Sequence, residues 1–253
     1  MKYTISVLLL FFSTYAVNAQ AVSDSLPLPA GPMQHNYHTV RSYILPASLI
    51  LYGVLAENVQ PLRNLNESIR KRVVAPVGKQ TNIDDYLQFV PSVSSHMISL
   101  MGVKAKHKLF DRLMIDGMTA AISISAVYVT KRISHETRPD GSDDLSFPSN
   151  HVATAFASAE LLSYEYGDQS PWYGIAGYAV ATATAYLRMY NNKHWLGDVV
   201  AGAGIGIVSA KIATQLFPLA KKILFHNKTP FWGAVVPSYQ NGNLAFHFFK
   251  ELK

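Results

Sequence analysis

The chain has 253 residues, a formal charge of +6 and no cysteine. Nearly half of it is apolar and only 15% is charged, which excludes a disordered polyelectrolyte and supports a sizeable core. The absent cysteines exclude disulfides, zinc–thiolate sites and thiol nucleophiles. The basic balance fits an anionic partner, but no Lys/Arg-rich run with interleaved aromatics occurs, so nucleic acid is not expected.

The N-terminus reads as a secretory signal over residues 1–19. Lys2 supplies the positive region, Ile5–Phe12 the apolar stretch, and Val17-Asn18-Ala19 the small residues before a cleavage point. Residues 20–40, with Pro27, Pro29, Gly31 and Pro32, read as a linker. A helical domain then covers 41–228. Its apolar periodicity predicts six helices, over 43–57, 84–102, 110–133, 150–166, 171–188 and 194–217. Asn82, Ser149 and Asn192 stand as N-caps, and Pro91 should interrupt the second helix. Gly202, Gly204 and Gly206 would let another helix approach the sixth closely. The tail, 229–253, alternates apolar residues on both sides of Asn241-Gly242, which predicts a short β-hairpin. The expected fold class is therefore all-α, a six-helix bundle with a C-terminal β-hairpin.

The apolar stretches at 43–56 and 199–210 fall short of the ~20 residues a spanning helix needs. A cleaved signal followed by six spans would also leave the end of the third helix facing the cytoplasm. Both points favour a soluble or surface-associated domain outside the cytoplasm over an integral membrane protein, although Lys104, Lys106, Lys108 and Arg112 have the look of a cytoplasmic loop.

Three clusters carry chemistry. Lys131 to Pro139 ends the third helix, Pro148-Ser149-Asn150-His151 starts the fourth, and Arg188 to Asp198 joins the fifth to the sixth. In an antiparallel bundle all three fall at one end. Taken singly, each has a bland account: helix-end cations, an N-cap, an i,i+4 pair worth ~0.2–0.5 kcal/mol. Taken together they suit phosphoryl transfer, which needs fixed charge around three oxygens. Lys131, Arg138 and Arg188 supply cations, and Ser149 with the backbone N–H groups of the helix start adds donors. His194 is the candidate nucleophile and Asp198 holds its other ring nitrogen. His151 is the candidate acid for the leaving oxygen and base for water. The aspartates at 140, 143 and 144 precede Ser149 and shape the loop. With three cations at hand, neither metal nor cofactor is expected.

The order Lys-x6-Arg-Pro, Pro-Ser-Asn-His and Leu-Arg-x5-His-x3-Asp resembles the signature of the type 2 phosphatidic-acid phosphatases, the class A acid phosphatases and the vanadium haloperoxidases. Nine of eleven fixed positions match. The resemblance implies a helical bundle of that superfamily's type. It implies Lys131, Arg138, Ser149 and Arg188 as phosphate ligands, with Asn150 alongside them, His194 as nucleophile, His151 as general acid and Asp198 as the nucleophile's partner. Asn150 stands where the family has glycine, and Leu187 where it has serine. The expected activity is a metal-independent phosphomonoesterase acting through a phosphohistidine on a phosphate ester, a lipid phosphate first (phosphatidate-like, isoprenyl or lipid A). A soluble ester is the alternative, followed by haloperoxidase chemistry and a degenerate phosphate-binding protein. Oligomeric state has no signature here.

Overall fold

The computed structural model describes residues 39–76, 78–225, 233–240 and 243–250. The expected signal, nearly all of the 20–40 linker and the Asn241-Gly242 turn lie outside them. A 3-10 turn, Val40–Tyr43, leads into α1, Ile44–Asn58. Then come α2 (Gln60–Val73), α3 (Ile83–Leu87), α4 (Val90–Leu100), α5 (Leu109–Ser134), α6 (Asn150–Tyr166), α7 (Pro171–Tyr190) and α8 (Leu196–Phe225).

Among the described residues eight α-helices thus stand where six were expected. The stretch 84–102 divides, because Pro91 sits in the first turn of α4, where a missing N–H costs nothing. Helix α2 had no predicted counterpart. Its Leu62, Ile69 and Val73 recur at helical spacing among charged residues, and Pro61 opens it. Asn192 does not cap α8; it adopts a left-handed conformation at φ 60° in the loop before it. Asn82 and Ser149 precede α3 and α6, but neither side chain makes a capping bond.

Helix α8 is the axis of the bundle. Two of its glycines face α6: a Cβ on Gly206 would lie 2.2 Å from the Ala153 carbonyl oxygen, and one on Gly202 would lie 2.6 Å from that of Ser149. On its other side Gly204 meets Pro46 and Ile50 of α1, while Gly197 meets Ala56. The backbones therefore pack almost in contact, as small residues on facing helices permit. These pairings set the polarity. The C-terminal end of α1, the start of α6 and the start of α8 lie together, with the end of α5 and the end of α7 beside them. Helices α2 and α3 sit across that same end through Asn66, Arg70 and Asp84.

The described helices weigh against the expectation of a soluble or surface-associated domain. The run through the glycines does not stop near 210 but continues to Phe225. Among the described residues three helices, Val40–Asn58, Leu109–Ser134 and Leu196–Phe225, are long and apolar enough to cross a membrane. The most apolar window of the last is 78% buried inside the protein, whereas those of the first two are 17% and 22% buried. Helices α1 and α5 therefore turn apolar side chains such as Leu45, Leu51, Ile124, Val129 and Ile133 outward. A monomer in water does not leave such faces bare, and a bilayer would cover them.

Beyond α8 two backbone strands, β1 (Gly233–Gln240) and β2 (Asn243–Lys250), pair antiparallel with Gly233 opposite Lys250 and Gln240 opposite Asn243.

Candidate active site

His194 lies in the loop between α7 and α8 and is 4% exposed. Its Nδ1 is 3.3 Å from Asp198 Oδ2, one turn into α8, and its Nε2 is 3.3 Å from Arg138 Nη1. A guanidinium can only donate, so Nε2 presents its lone pair and Nδ1 carries the proton toward the carboxylate. Asp198 Oδ2 also accepts from the Trp195 backbone N–H at 2.8 Å and from the Ser146 hydroxyl. Burial, and then the charges of Arg188, Lys131 and Arg138, hold the His194 pKa well below the ordinary imidazole value. The ring is thus held in its neutral form, with the Nε2 lone pair turned to the Arg138 guanidinium.

The cations come from different elements. Lys131, in the last turn of α5, donates from Nζ to the Leu145 and Ser146 carbonyls, which draws the 138–149 loop over the helix end. Arg138 donates from Nε to Asp143 Oδ1 at 2.8 Å and from Nη1 to the Lys193 carbonyl. The neighbouring Lys193 meets Asp140 at 2.7 Å, and Thr137 donates to Asp144 at 2.8 Å. Burial alone would raise the Asp140 carboxyl, but the bonds from Lys193 and Ser142 bring it down to about 2. The three loop aspartates therefore act as struts for the loop that carries Arg138. No group of three His, Asp or Glu side chains suited to a metal occurs among the described residues.

At the start of α6, Ser149 is fully buried. Its N–H donates to the Asp198 carbonyl at 3.1 Å, and its Oγ has no hydrogen-bond partner. A buried orphan hydroxyl costs ~1–3 kcal/mol. Asn150 is half-buried and helical, so the glycine of the family pattern is not required here for a positive φ. His151 follows in the first turn, with Nε2 2.9 Å from Asp85 Oδ1 of α3. Burial and Arg188 lower its pKa, with Asp85 and Asp84 opposing. Arg188, in the last turn of α7, is 8% exposed; its Nη1 meets Asp84 Oδ2 at 2.6 Å while its Nε has no partner.

The structure thus gathers Lys131, Arg138, Ser149, His151, Arg188, His194 and Asp198 at one end of the bundle, with Asn150 at the rim. Three contributors had no sequence signal. Ser146 reaches Asp198 from the loop. Asp84 and Asp85 come from a five-residue helix more than 60 residues before His151, and an acidic first turn looks like an ordinary helix start.

Residues 113–222 match the profile of the PAP2 superfamily. A lipid A 1-phosphatase of Porphyromonas gingivalis is 37% identical over 151 residues, 59% of this chain and 34% of that protein, so the chain spans about a third of that relative's length. Two solved structures are similar: Aquifex aeolicus LpxE (19% identity, 60% of this chain, 95% of that one, TM-score 0.46) and a transmembrane PAP2-type phosphatidylglycerolphosphate phosphatase from Bacillus subtilis (20% identity, 70% and 98%, TM-score 0.46). The matched segment, 113–222, takes in every motif residue from Lys131 to Asp198.

Proposed function

We propose that this chain is a membrane-embedded phosphatase that hydrolyses a lipid phosphomonoester through a phosphohistidine on His194. One observation carries the reading: His194 Nε2 accepts from Arg138 Nη1, and two buried donors at the same end of the bundle, Ser149 Oγ and Arg188 Nε, have no protein partner. A phosphate would supply the missing acceptors. Its oxygens take donors from Lys131, Arg138, Ser149 and Arg188 and from the N-terminus of α6, and Asn150 borders the same seat. In the first step the Nε2 pair forms a bond to phosphorus, the ester P–O bond breaks, and His151 protonates the departing oxygen. Asp198 holds the Nδ1 proton and steadies the charge gained by the ring. In the second step His151 takes a proton from water, the water oxygen bonds to phosphorus, and the N–P pair returns to His194.

The substrate class rests on two supports. The outward apolar faces of α1 and α5 would hold the site at the level of lipid head groups, and the relative from Porphyromonas gingivalis carries the name lipid A 1-phosphatase. Phosphorylated lipid A is accordingly the first substrate to assay.

Helix polarity constrains the side. α1 runs toward the site, so a spanning α1 puts the site on the face opposite its entry. An extracytoplasmic site then needs residue 40 on the cytoplasmic face. Lys104, Lys106 and Lys108, in the loop at the end away from the site, support that orientation. A signal cleaved after Ala19 would leave residue 40 outside, so the extracytoplasmic reading sets that cleavage aside. The chain has no native cysteine, so Lys79→Cys can be labelled in whole cells with an impermeant maleimide. Labelling supports this orientation, and protection until lysis overturns it.

The function is tested by phosphate release from lipid A, phosphatidate and p-nitrophenyl phosphate by the full chain in detergent. Release that persists in EDTA and is blocked by vanadate is expected. Loss on chelation, restored by a divalent metal, would overturn the mechanism.

A further inference from the structure

The geometry points to Asp85 as the positioning residue of His151, a carboxylate from α3 that holds the acid's ring as Asp198 holds the nucleophile's. This deepens the phosphatase reading and rests on it.

Two sets of contacts carry the inference. The first is the 2.9 Å contact between His151 Nε2 and Asp85 Oδ1. The second is the way α3 is held in place. Asp84, next to Asp85 in the chain, is 1% exposed. Its Oδ2 takes Arg188 Nη1 at 2.6 Å and its Oδ1 takes Asn191 Nδ2 at 2.8 Å. Asn191 also donates to the Thr81 carbonyl at 2.7 Å and accepts from the Thr81 N–H at 3.0 Å. The entry to α3 is thus tied at several points to the end of α7. An isolated surface pair of this kind would be worth ~0–1 kcal/mol and would wander; here the backbone under Asp85 is fixed by the same arginine that serves the phosphate seat. Arg188 Nη1 is also 3.8 Å from Asp85 Oδ1.

The contact assigns the ring's nitrogens. With Nε2–H donated to Asp85, Nδ1 faces the reaction. In the first step Nδ1–H passes to the leaving oxygen as the P–O bond breaks, and the ring is left neutral with Nε2–H still on Asp85. In the second step Nδ1 takes the proton of the attacking water as the N–P bond breaks. The charged and titratable groups facing His151 are Asp84 and Asp85 on α3, Arg188 on α7 and His194 in the α7–α8 loop. Without the Asp85 carboxylate, Arg188 is opposed only by Asp84, so the ring gives up its proton at a lower pH.

The test compares wild type, Asp85→Asn, Asp85→Glu and His194→Ala, each as the full chain in detergent. It uses an alkyl ester (dioctanoyl phosphatidate in mixed micelles) and an aryl ester (p-nitrophenyl phosphate). Asp85→Asn should lower kcat/KM, which reads the first step alone, on the alkyl ester by about 10–100-fold, the scale of losing a histidine's carboxylate partner. The aryl ester, whose leaving group needs little protonation, should lose only a few-fold. The alkaline limb of the alkyl pH profile should move to lower pH, and Asp85→Glu should recover part of the rate. Equal losses on both esters with an unmoved limb would overturn the proposal. So would a lower KM with a higher kcat, which would make Asp85 an occupant of the substrate's seat. A partly misfolded variant scales both rates alike and leaves their ratio readable. Failure of the phosphatase reading itself looks different: His194→Ala as active as wild type, or a wild type that releases no phosphate, takes both claims down together.

Discussion

The site holds two histidine–carboxylate pairs built in opposite ways. His194 and Asp198 are four residues apart, both buried, and joined across one turn at the start of α8. His151 and Asp85 are 66 residues apart, on different helices, with Asp85 half exposed. The first pair is buried among cations, which suits a ring that must stay neutral and attack. The second meets solvent on its carboxylate side, which suits a ring that must gain and lose a proton in every turnover. On the proposed mechanism the same two side-chain types do different work because burial and neighbouring charge differ.

The largest break in this comparison is removal of either ring. His194→Ala should abolish both phosphoenzyme and phosphate release. His151→Ala should lose about 10²–10⁴-fold on alkyl esters. With aryl esters it should accumulate phosphoenzyme, since the water has lost its base. Rapid-quench trapping with labelled substrate reads both. Label trapped on His194→Ala but not on His151→Ala would reverse the assignment.

A smaller break is Asp198→Asn. The Trp195 N–H and Ser146 hydroxyl can still bond the amide oxygen, so the loop should survive while the Nδ1 tautomer is no longer enforced. A kcat loss of about 10–100-fold on aryl and alkyl esters alike is expected, with KM little changed. A loss confined to alkyl esters would move Asp198 from the nucleophile's half of the site to the acid's.

The pH profile sharpens the comparison without mutation. His194 acts neutral, and its lowered pKa keeps it neutral well into the acid range. His151 acts protonated on alkyl esters, and its pKa is also lowered, so that protonation is lost as pH rises. Alkyl ester kcat/KM should therefore be bell-shaped with an acidic optimum. The aryl esters should lose the alkaline limb, because a good leaving group does not need the proton. An alkyl optimum above pH 8 would contradict the assignment.

The smallest effect is expected at Asn150, the neighbour of His151 in the first turn of α6. Asn150→Gly should change kcat by only a few-fold, upward on bulky substrates, because the residue is helical and its side chain alone narrows the seat. It should also loosen the first turn of α6 by about 0.3 kcal/mol, the gap between asparagine and glycine in helix propensity, seen as a slightly lower Tm. Lower activity on every substrate would show that the amide itself serves the reaction.

Much of this was legible in the residues. The motif clusters, the helices from α5 to α8 and the gathering of the motifs at one end all follow from local pattern and chain order. Gly202 and Gly206 announced a close helix approach, and the backbone of α6 lies against them. Helix α2 stayed hidden because charge dilutes its apolar stripe, whereas the break before α4 falls at Pro91, where an interruption was expected.

The sequence by itself determined the pairing of His194 with Asp198, since the two need only one helical turn to meet. It also determined the number and kind of cations, which the motif spacing carries whole. Only the tertiary structure decided the partner of His151 and the anchoring of Arg188. Those contacts cross from α3 to α6 and α7, and no periodicity links residues that meet only after the chain has folded back. The same holds for the membrane-facing surface. Apolar residues in α8 and in α5 read alike along the chain, and only packing shows that α8 spends them inside the protein while α5 turns them outward.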